Sequence, residues 1–275
     1  MDIDNLRQRF QTTLLILPIF VLPIYLGGFF FKIILICISF VLFYELLEII
    51  NFPQKKIATS VYLFLLCLSV FIFIILPSEA LIICLVILIM GSILIKLSNR
   101  GSGWLIAITN YCYLTFLIFY QIRMQDNITD GLNSIFLIIT IAVISDTSGY
   151  FGGQLFGGKK IFPNLSPNKT VQGTLFASIM PSIFIFFLVQ VFGVGFHSNL
   201  LLLFILIMSL GAILGDLSGS YLKRNFNVSN SSNFLPGHGG LLDRMDSIIG
   251  VGVFFLIIDS IIVNTIYENI LYFWR

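Results

Sequence analysis

Charge is what this sequence has least of. Of its 275 residues, only 10% are Asp, Glu, Lys or Arg, against roughly 25% in an ordinary soluble domain. The hydrophobic fraction is 58% and the mean hydropathy +1.02. A soluble fold of this size cannot hide so much apolar surface in one core. A soluble enzyme, a disordered chain and a nucleic-acid binder are therefore excluded, and the bilayer is read as the solvent. The formal net charge is +2, and no long charged run would attract a polyanion. Cysteine is sparse as well. Cys37, Cys67, Cys84 and Cys112 each sit in an apolar stretch without CxxC spacing, the pattern of small packing residues. No Cys or His cluster offers a zinc site, and no Ser-His-Asp arrangement is visible. No internal repeat supports an inverted-repeat transporter. The opening MDIDNLRQRF lacks a small-residue cleavage site at the usual distance, so the first apolar run is read as a retained span.

What the sequence does have is long apolar runs. A membrane-crossing helix takes about 20 such residues. Runs separated by turn signals predict nine helices, at about 11–26, 29–50, 57–76, 80–96, 103–121, 133–153, 173–192, 199–220 and 247–266. The first break rests on Gly27-Gly28; without it one run of about 40 residues would be too long for a single crossing. The positive-inside rule orients the set. With the N-terminus cytoplasmic, the inner segments hold Arg7, Arg9, Lys55, Lys56, Lys96, Arg100, Lys159, Lys160, Lys169, Lys223, Arg224 and Arg244, leaving Lys32, Arg123 and Arg275 elsewhere. The expected fold is all-α: a polytopic integral membrane protein of about nine transmembrane helices, N-terminus cytoplasmic and C-terminus outside. Residues 1–132 would supply about five N-terminal spans. Residues 133–275 would form a catalytic region of about four spans with two cytoplasmic loops, at about 154–172 and 221–246.

The first half carries little chemistry. Glu45 and Glu48 fall near the inner end of the second helix, where they either reach the interface or line a polar cavity. The second half is different. The sixth span contains Asp146 in the stretch Ser145-Asp146-Thr147-Ser148-Gly149, and the eighth contains Asp216 in Gly215-Asp216-Leu217-Ser218-Gly219. Charge in hydrocarbon is expensive, so such residues face a wet cavity or a partner. A helix-packing seam explains the glycines and serines but not the aspartates. The last inner loop reads Leu235-Pro236-Gly237-His238-Gly239-Gly240-Leu241-Leu242-Asp243-Arg244-Met245-Asp246-Ser247. Asp243 and Asp246 are one helical turn apart and can share a face, although an acid at a helix start is also an ordinary cap. The loop after the sixth span, Phe156 to Gly173, holds Gly157, Gly158, Lys159, Lys160 and Lys169 without the spacing of a Walker A loop. Three inner helix ends thus bring Asp146, Asp216, Asp243 and Asp246 to one membrane face, with Lys and Arg nearby. Clustered carboxylates with clustered cations suit a metal–polyphosphate site, because Mg²⁺ is usually shared between one or two carboxylates and phosphates and basic groups spread the remaining charge.

At these residues the sequence resembles the phosphatidate cytidylyltransferases, or CDP-diacylglycerol synthases. The family's pattern S-x-x-K-R followed by P-G-H-G-G-x-x-D-R-x-D is matched by Ser220-Tyr221-Leu222-Lys223-Arg224 and by Pro236 to Asp246. Its D-x-x-x-Y-x-x-G and S-P-x-K-T-x-x-G segments are matched at Asp146 to Gly153 and at Ser166 to Gly173, and Leu6-Arg7-Gln8-Arg9 is also similar. Two positions depart: the family's K-D pair falls on Ser229-Asn230, and a frequent Glu falls on Gln172.

The resemblance implies transfer of the cytidylyl group of CTP to phosphatidate, giving CDP-diacylglycerol and pyrophosphate in phospholipid biosynthesis. It implies that Asp216 and Asp243 hold a catalytic Mg²⁺, with a second cation such as K⁺ also compatible. Lys223, Arg224, Arg244 and Lys169 would bind phosphates; Ser166, Thr170 and Ser220 would support them. His238, Gly239 and Gly240 would shape the nucleotide pocket, with Asp146 and Asp246 as further polar support. The implied partners are CTP, phosphatidate, the lipid bilayer and a second copy in a homodimer, but no nucleic acid, and the implied location is a bacterial inner membrane. Two alternatives stay open from the residues alone. A CTP-dependent polyprenol or diacylglycerol kinase would need similar acids and cations, and a lipid transporter or scramblase would need polar residues through the full membrane thickness.

Overall fold

The computed structural model describes residues 18–76, 80–97, 103–124, 128–163, 165–191, 198–228, 231–232 and 239–262. The described residues are helical almost throughout. A stretch at 18–26 (α1) is followed by α2 Gly28–Ile49, α3 Lys55–Ile75, α4 Ala80–Leu97, α5 Gly103–Arg123, α6 Ile128–Phe156, α7 Val171–Val191, α8 Ser198–Asn225 and α9 Leu242–Ile262. Among the described residues no strand occurs, and an isolated antiparallel bridge joins Lys160 to Thr170. Among the described residues six helices are long and apolar enough to cross a membrane: Gly28–Ile49, Lys55–Ile75, Gly103–Arg123, Gly131–Phe156, Val171–Val191 and Leu201–Asn225. A shorter apolar stretch, Ile82–Ile93, lies within α4. The chain does break at Gly27-Gly28, where φ is +66° and +46°, a left-handed backbone that glycine adopts without a Cβ penalty.

Packing divides the chain into two compact units, Met1–Gln121 with Val228–Leu242, and Ile122–Asn227 with Asp243–Arg275. In the first, polar side chains sew apolar helices together, as expected where burial alone does not favour one helix partner over lipid. Ser39 Oγ lies 2.7 Å from Tyr62 Oη and donates to the Cys112 carbonyl at 3.0 Å. Ser69 and Tyr113 share a hydroxyl pair, and Phe43 stacks on Tyr62 with ring centroids 4.1 Å apart. All four cysteines are free thiols; Cys84 and Cys112 are buried, in keeping with their reading as packing residues, whereas Cys37 and Cys67 are exposed.

The second unit is built on close backbone approach. Along α8, Gly211, Gly215 and Gly219 recur every four residues and face α9. A Cβ at Gly211 would lie 2.7 Å from the Gly250 carbonyl, and one at Gly219 would lie 2.7 Å from Asp246 Oδ2. A Cβ at Gly215 would run into the Asp246 carbonyl, which is backbone and cannot swing aside. Between α6 and α7 the same device recurs: a Cβ at Gly173 would lie 2.7 Å from the Gly149 carbonyl, and Ser148 Oγ donates to the Phe176 carbonyl at 3.2 Å. Ser209 Oγ of α8 donates to the Ser178 carbonyl of α7 at 2.8 Å.

The glycine seam therefore has a stability signature. Overpacking of this kind costs about 1–3 kcal/mol, so Gly215→Ala should lower the midpoint of thermal unfolding in detergent. Gly91→Ala on α4, where an added Cβ meets nothing within 4 Å, should leave the midpoint unchanged or raise it, because Ala is favoured over Gly in a helix by about 0.5–1 kcal/mol. Equal midpoints for Gly215→Ala and the parent protein would contradict the seam.

Candidate active site

Four aspartates reach one cavity in the second unit. Asp146 comes from the last third of α6, Asp216 from α8, and Asp243 and Asp246 from the first turns of α9; together they line a space of about 350 Å³. The spacing in the sequence explains the convergence. Asp243 and Asp246 stand on one face of α9, and the glycines at 215 and 219 let α8 approach that face with Asp216 between them.

Lys169 reaches the same cavity from the loop between α6 and α7, and local structure holds it there. Val171 N–H donates to the Lys159 carbonyl at 2.9 Å and Ile161 N–H to the Lys169 carbonyl at 3.2 Å, so the loop folds back on itself as a short antiparallel bridge. Gly157 and Gly158, with φ of +61° and +105°, make the turn out of α6. Thr170 then caps α7: its Oγ1 accepts the Gly173 N–H at 3.1 Å, supplying one of the donors that a helix start leaves unpaired. Ser166 and Thr170 also line the cavity.

The charges are paired across elements. Lys169 Nζ lies 2.6 Å from Asp216 Oδ2, and Lys223 Nζ lies 2.6 Å from Asp243 Oδ1. Asp246 is 4% exposed, and its Oδ1 accepts the Ser247 N–H at 2.8 Å. Ser247 Oγ donates in turn to Asp146 Oδ1 at 2.9 Å, linking α9 to α6. The cavity wall carries four aspartates and one lysine, with Lys223 beside it on Asp243. The aspartates offer hard oxygen ligands.

The remaining expected residues are placed as follows. Lys223 stands beside the cavity through Asp243 rather than in its wall. Arg224 is exposed, and its Nε donates to the Leu165 carbonyl at 3.3 Å, tying the end of α8 to the α6–α7 loop. Arg244 is exposed in the first turn of α9, and Ser220 is half-buried near the end of α8. Gly239, with φ of +86°, and buried Gly240 belong to the other unit. His238, Ser229 and Asn230 lie outside the described residues. Gln172 is not in the cavity wall; its side-chain oxygen is buried against Gly158. Several wall residues went unnoticed in the sequence, among them Asn168, Ala177 and Ser247. Asn168 lies inside the S-P-x-K-T segment, and Ala177 follows Gly173 by one helical turn, so both carried a signal.

Comparison with known proteins finds relatives across the chain. A protein named phosphatidate cytidylyltransferase in Bacillus subtilis is 30% identical over 262 residues, covering 90% of this chain and 95% of the relative. Proteins of the same name in Staphylococcus epidermidis and Staphylococcus haemolyticus are 38% and 36% identical over 158 and 162 residues. Those two matches span 57% of this chain and 58% of each relative. The family model described as "Cytidylyltransferase family" matches residues 7–262, a range that takes in every charged residue of the cavity, and the chain belongs to that family.

Proposed function

We propose that the protein transfers the cytidylyl group of CTP to phosphatidate. The observation that carries the reading is the cavity itself: four aspartates from three helices, two of them paired at 2.6 Å with lysines of the matched segments. A phosphate oxygen of phosphatidate would attack the α-phosphorus of CTP. The new P–O bond forms as the bond to the β-phosphate oxygen breaks, and pyrophosphate leaves with that electron pair. The nucleophile is already an anion, so no strong base is required. Placement in line and neutralisation of phosphate charge carry the rate.

The paired lysines define how the residues would act. Lys169 and Lys223 are held by carboxylates until phosphate oxygens compete for them. Each exchange gives a lysine to the substrate and uncovers an aspartate. Asp216 and Asp243 would then hold Mg²⁺. Their hard oxygens fit that ion. Among the described residues no group of three or more His, Cys, Asp or Glu side chains encloses a metal position, so phosphate and water would complete its shell. When bound, the cation would supply positive charge to the phosphate oxygens as the bond order changes. Asp146, tied through Ser247, and buried Asp246 would keep the cavity negative enough to favour a metal-complexed nucleotide over a bare one.

The reading extends to the membrane. We place both long loops on the cytoplasmic side, with nine crossings, because the twelve inner Lys and Arg residues follow the positive-inside rule. CTP is cytosolic and phosphatidate a bilayer lipid, so a site at the inner face meets both. The bacterial sources of the relatives support a bacterial cell membrane.

Purified protein given phosphatidate, Mg²⁺ and CTP labelled in cytosine should yield a labelled lipid. Asp216→Asn and Asp243→Asn should each remove nearly all of that turnover without unfolding the protein. Retention of more than about a tenth of the parent rate, a cost under about 1.4 kcal/mol, would remove that residue from the metal site. Label confined to the water phase, with a phosphorylated lipid product, would favour the kinase alternative.

For topology, Lys160→Cys in a background without the four native cysteines should resist a membrane-impermeant maleimide in sealed cells and react once they are permeabilised. Reaction in sealed cells would reverse the orientation.

A further inference from the structure

One buried carboxylate takes no part in the chemistry above. Glu45 lies on α2, four residues before its end at Ile49, and is 1% exposed. Three donors converge on it. Ser232 Oγ donates to Oε1 at 2.5 Å, Leu241 N–H donates to Oε1 at 2.8 Å, and Leu242 N–H donates to Oε2 at 2.9 Å. Both ends of the stretch from 232 to 241 are therefore fastened to a single side chain. Leu242 opens α9, whose first N–H groups have no carbonyl of their own helix to bond. A carboxylate there satisfies two of these donors and sits at the positive end of the helix dipole.

The neighbouring glycines fit the same role. A Cβ at Gly240 would collide with Ser231 Oγ and lie 3.0 Å from Glu45 Oε2. Gly239 needs a positive φ of +86°. Together the pair lets the backbone pass close to the carboxylate.

We propose that Glu45 is the positioning residue for the start of α9, and so for Asp243, the next residue in the chain; its catalytic consequence rests on the cytidylyl-transfer reading above. The peptide joining Leu242 to Asp243 is planar and stiff, so a shift at 241–242 passes directly to the Asp243 backbone. Small misplacements of a reacting group are costly, about a hundredfold for 1 Å. Glutamine cannot replace Glu45 here. Its amide offers one acceptor oxygen, and its NH₂ would face a backbone N–H, donor against donor. Aspartate keeps the charge but is one methylene too short to hold both ends.

The test is amide hydrogen exchange on the full protein in detergent without substrate, paired with steady-state kinetics. Glu45→Gln should speed exchange at Leu241 and Leu242 by about tenfold or more and leave α6 and α7 unchanged. It should also lower kcat by about thirtyfold or more, with KM for phosphatidate within about twofold. Ser232→Ala, which removes one donor and spares both backbone bonds, should speed exchange at Leu241 by less than Glu45→Gln does. Glu48→Gln, at a half-buried residue 3.9 Å from Lys55, should match the parent protein in both measurements. Unchanged exchange at 241–242 in Glu45→Gln, or kcat within twofold of the parent, overturns the proposal. If Glu45→Gln does not fold, Ser232→Ala decides, and exchange at Leu241 equal to the parent's overturns it. Protection at 241–242 in a parent protein that transfers no cytidylyl group removes the reaction and the catalytic role of Glu45 together, leaving only a structural tie.

Discussion

The structure depends on the cost of holding ionised carboxylates among apolar helices. An isolated charge moved out of water is penalised by several kcal/mol even after the surroundings relax. The described carboxylates at the site meet that penalty with specific partners. Asp216 and Asp243 each have a lysine at 2.6 Å. Asp146 has the Ser247 hydroxyl, and Asp246 has a backbone N–H. Except for the Ser247 N–H on Asp246, these partners come from a different element than the aspartate they meet, so the carboxylates are satisfied only if α6, α8, α9 and the α6–α7 loop assemble together. The glycine contacts allow that assembly. Gly211, Gly215 and Gly219 bring α8 against α9, while Gly149 and Gly173 bring α6 against α7.

In the proposed reaction the same pairs would serve the chemistry. A lysine fully committed to an aspartate binds no phosphate, and an aspartate fully committed to a lysine holds no metal. On the proposed reading, both would become available when a ligand carries phosphate and a divalent cation together, because it would satisfy both sets of charges in one event. On that reading, the excess of aspartates over lysines in the cavity wall would bias the site against phosphate arriving alone, and recognition of a nucleotide–metal complex would follow from charge more than from shape.

Much of this was legible in the sequence. The turn at Gly27-Gly28 and the four aspartates could be read from periodicity and from the price of charge in hydrocarbon. The S-P-x-K-T segment named Lys169 and Thr170 before any geometry was known. What could not be read was partnership. Ser247 joins Asp146 from 101 residues away, and Leu242 joins Glu45 from 197 residues away; no local pattern encodes contacts at such separations. From the sequence Glu45 could be read only as an acid that reaches the interface or lines a polar cavity, because its own helix surrounds it with apolar residues. Its value lies in two backbone N–H groups that a sequence does not display. The resemblance implied a phosphate role for Arg224; that its Nε also donates to the Leu165 carbonyl, a backbone acceptor, is a contact no sequence displays.

The exchange of paired charges for substrate and metal is the centre of this account. It is tested most directly by equilibrium binding of CTP to the purified protein, without phosphatidate, across a range of Mg²⁺ concentrations. The account predicts that Mg²⁺ raises CTP affinity by at least about tenfold, a coupling of about 1.4 kcal/mol, and that Asp216→Asn abolishes this dependence. CTP affinity that is the same with and without Mg²⁺, or a dependence that survives in Asp216→Asn, would contradict it.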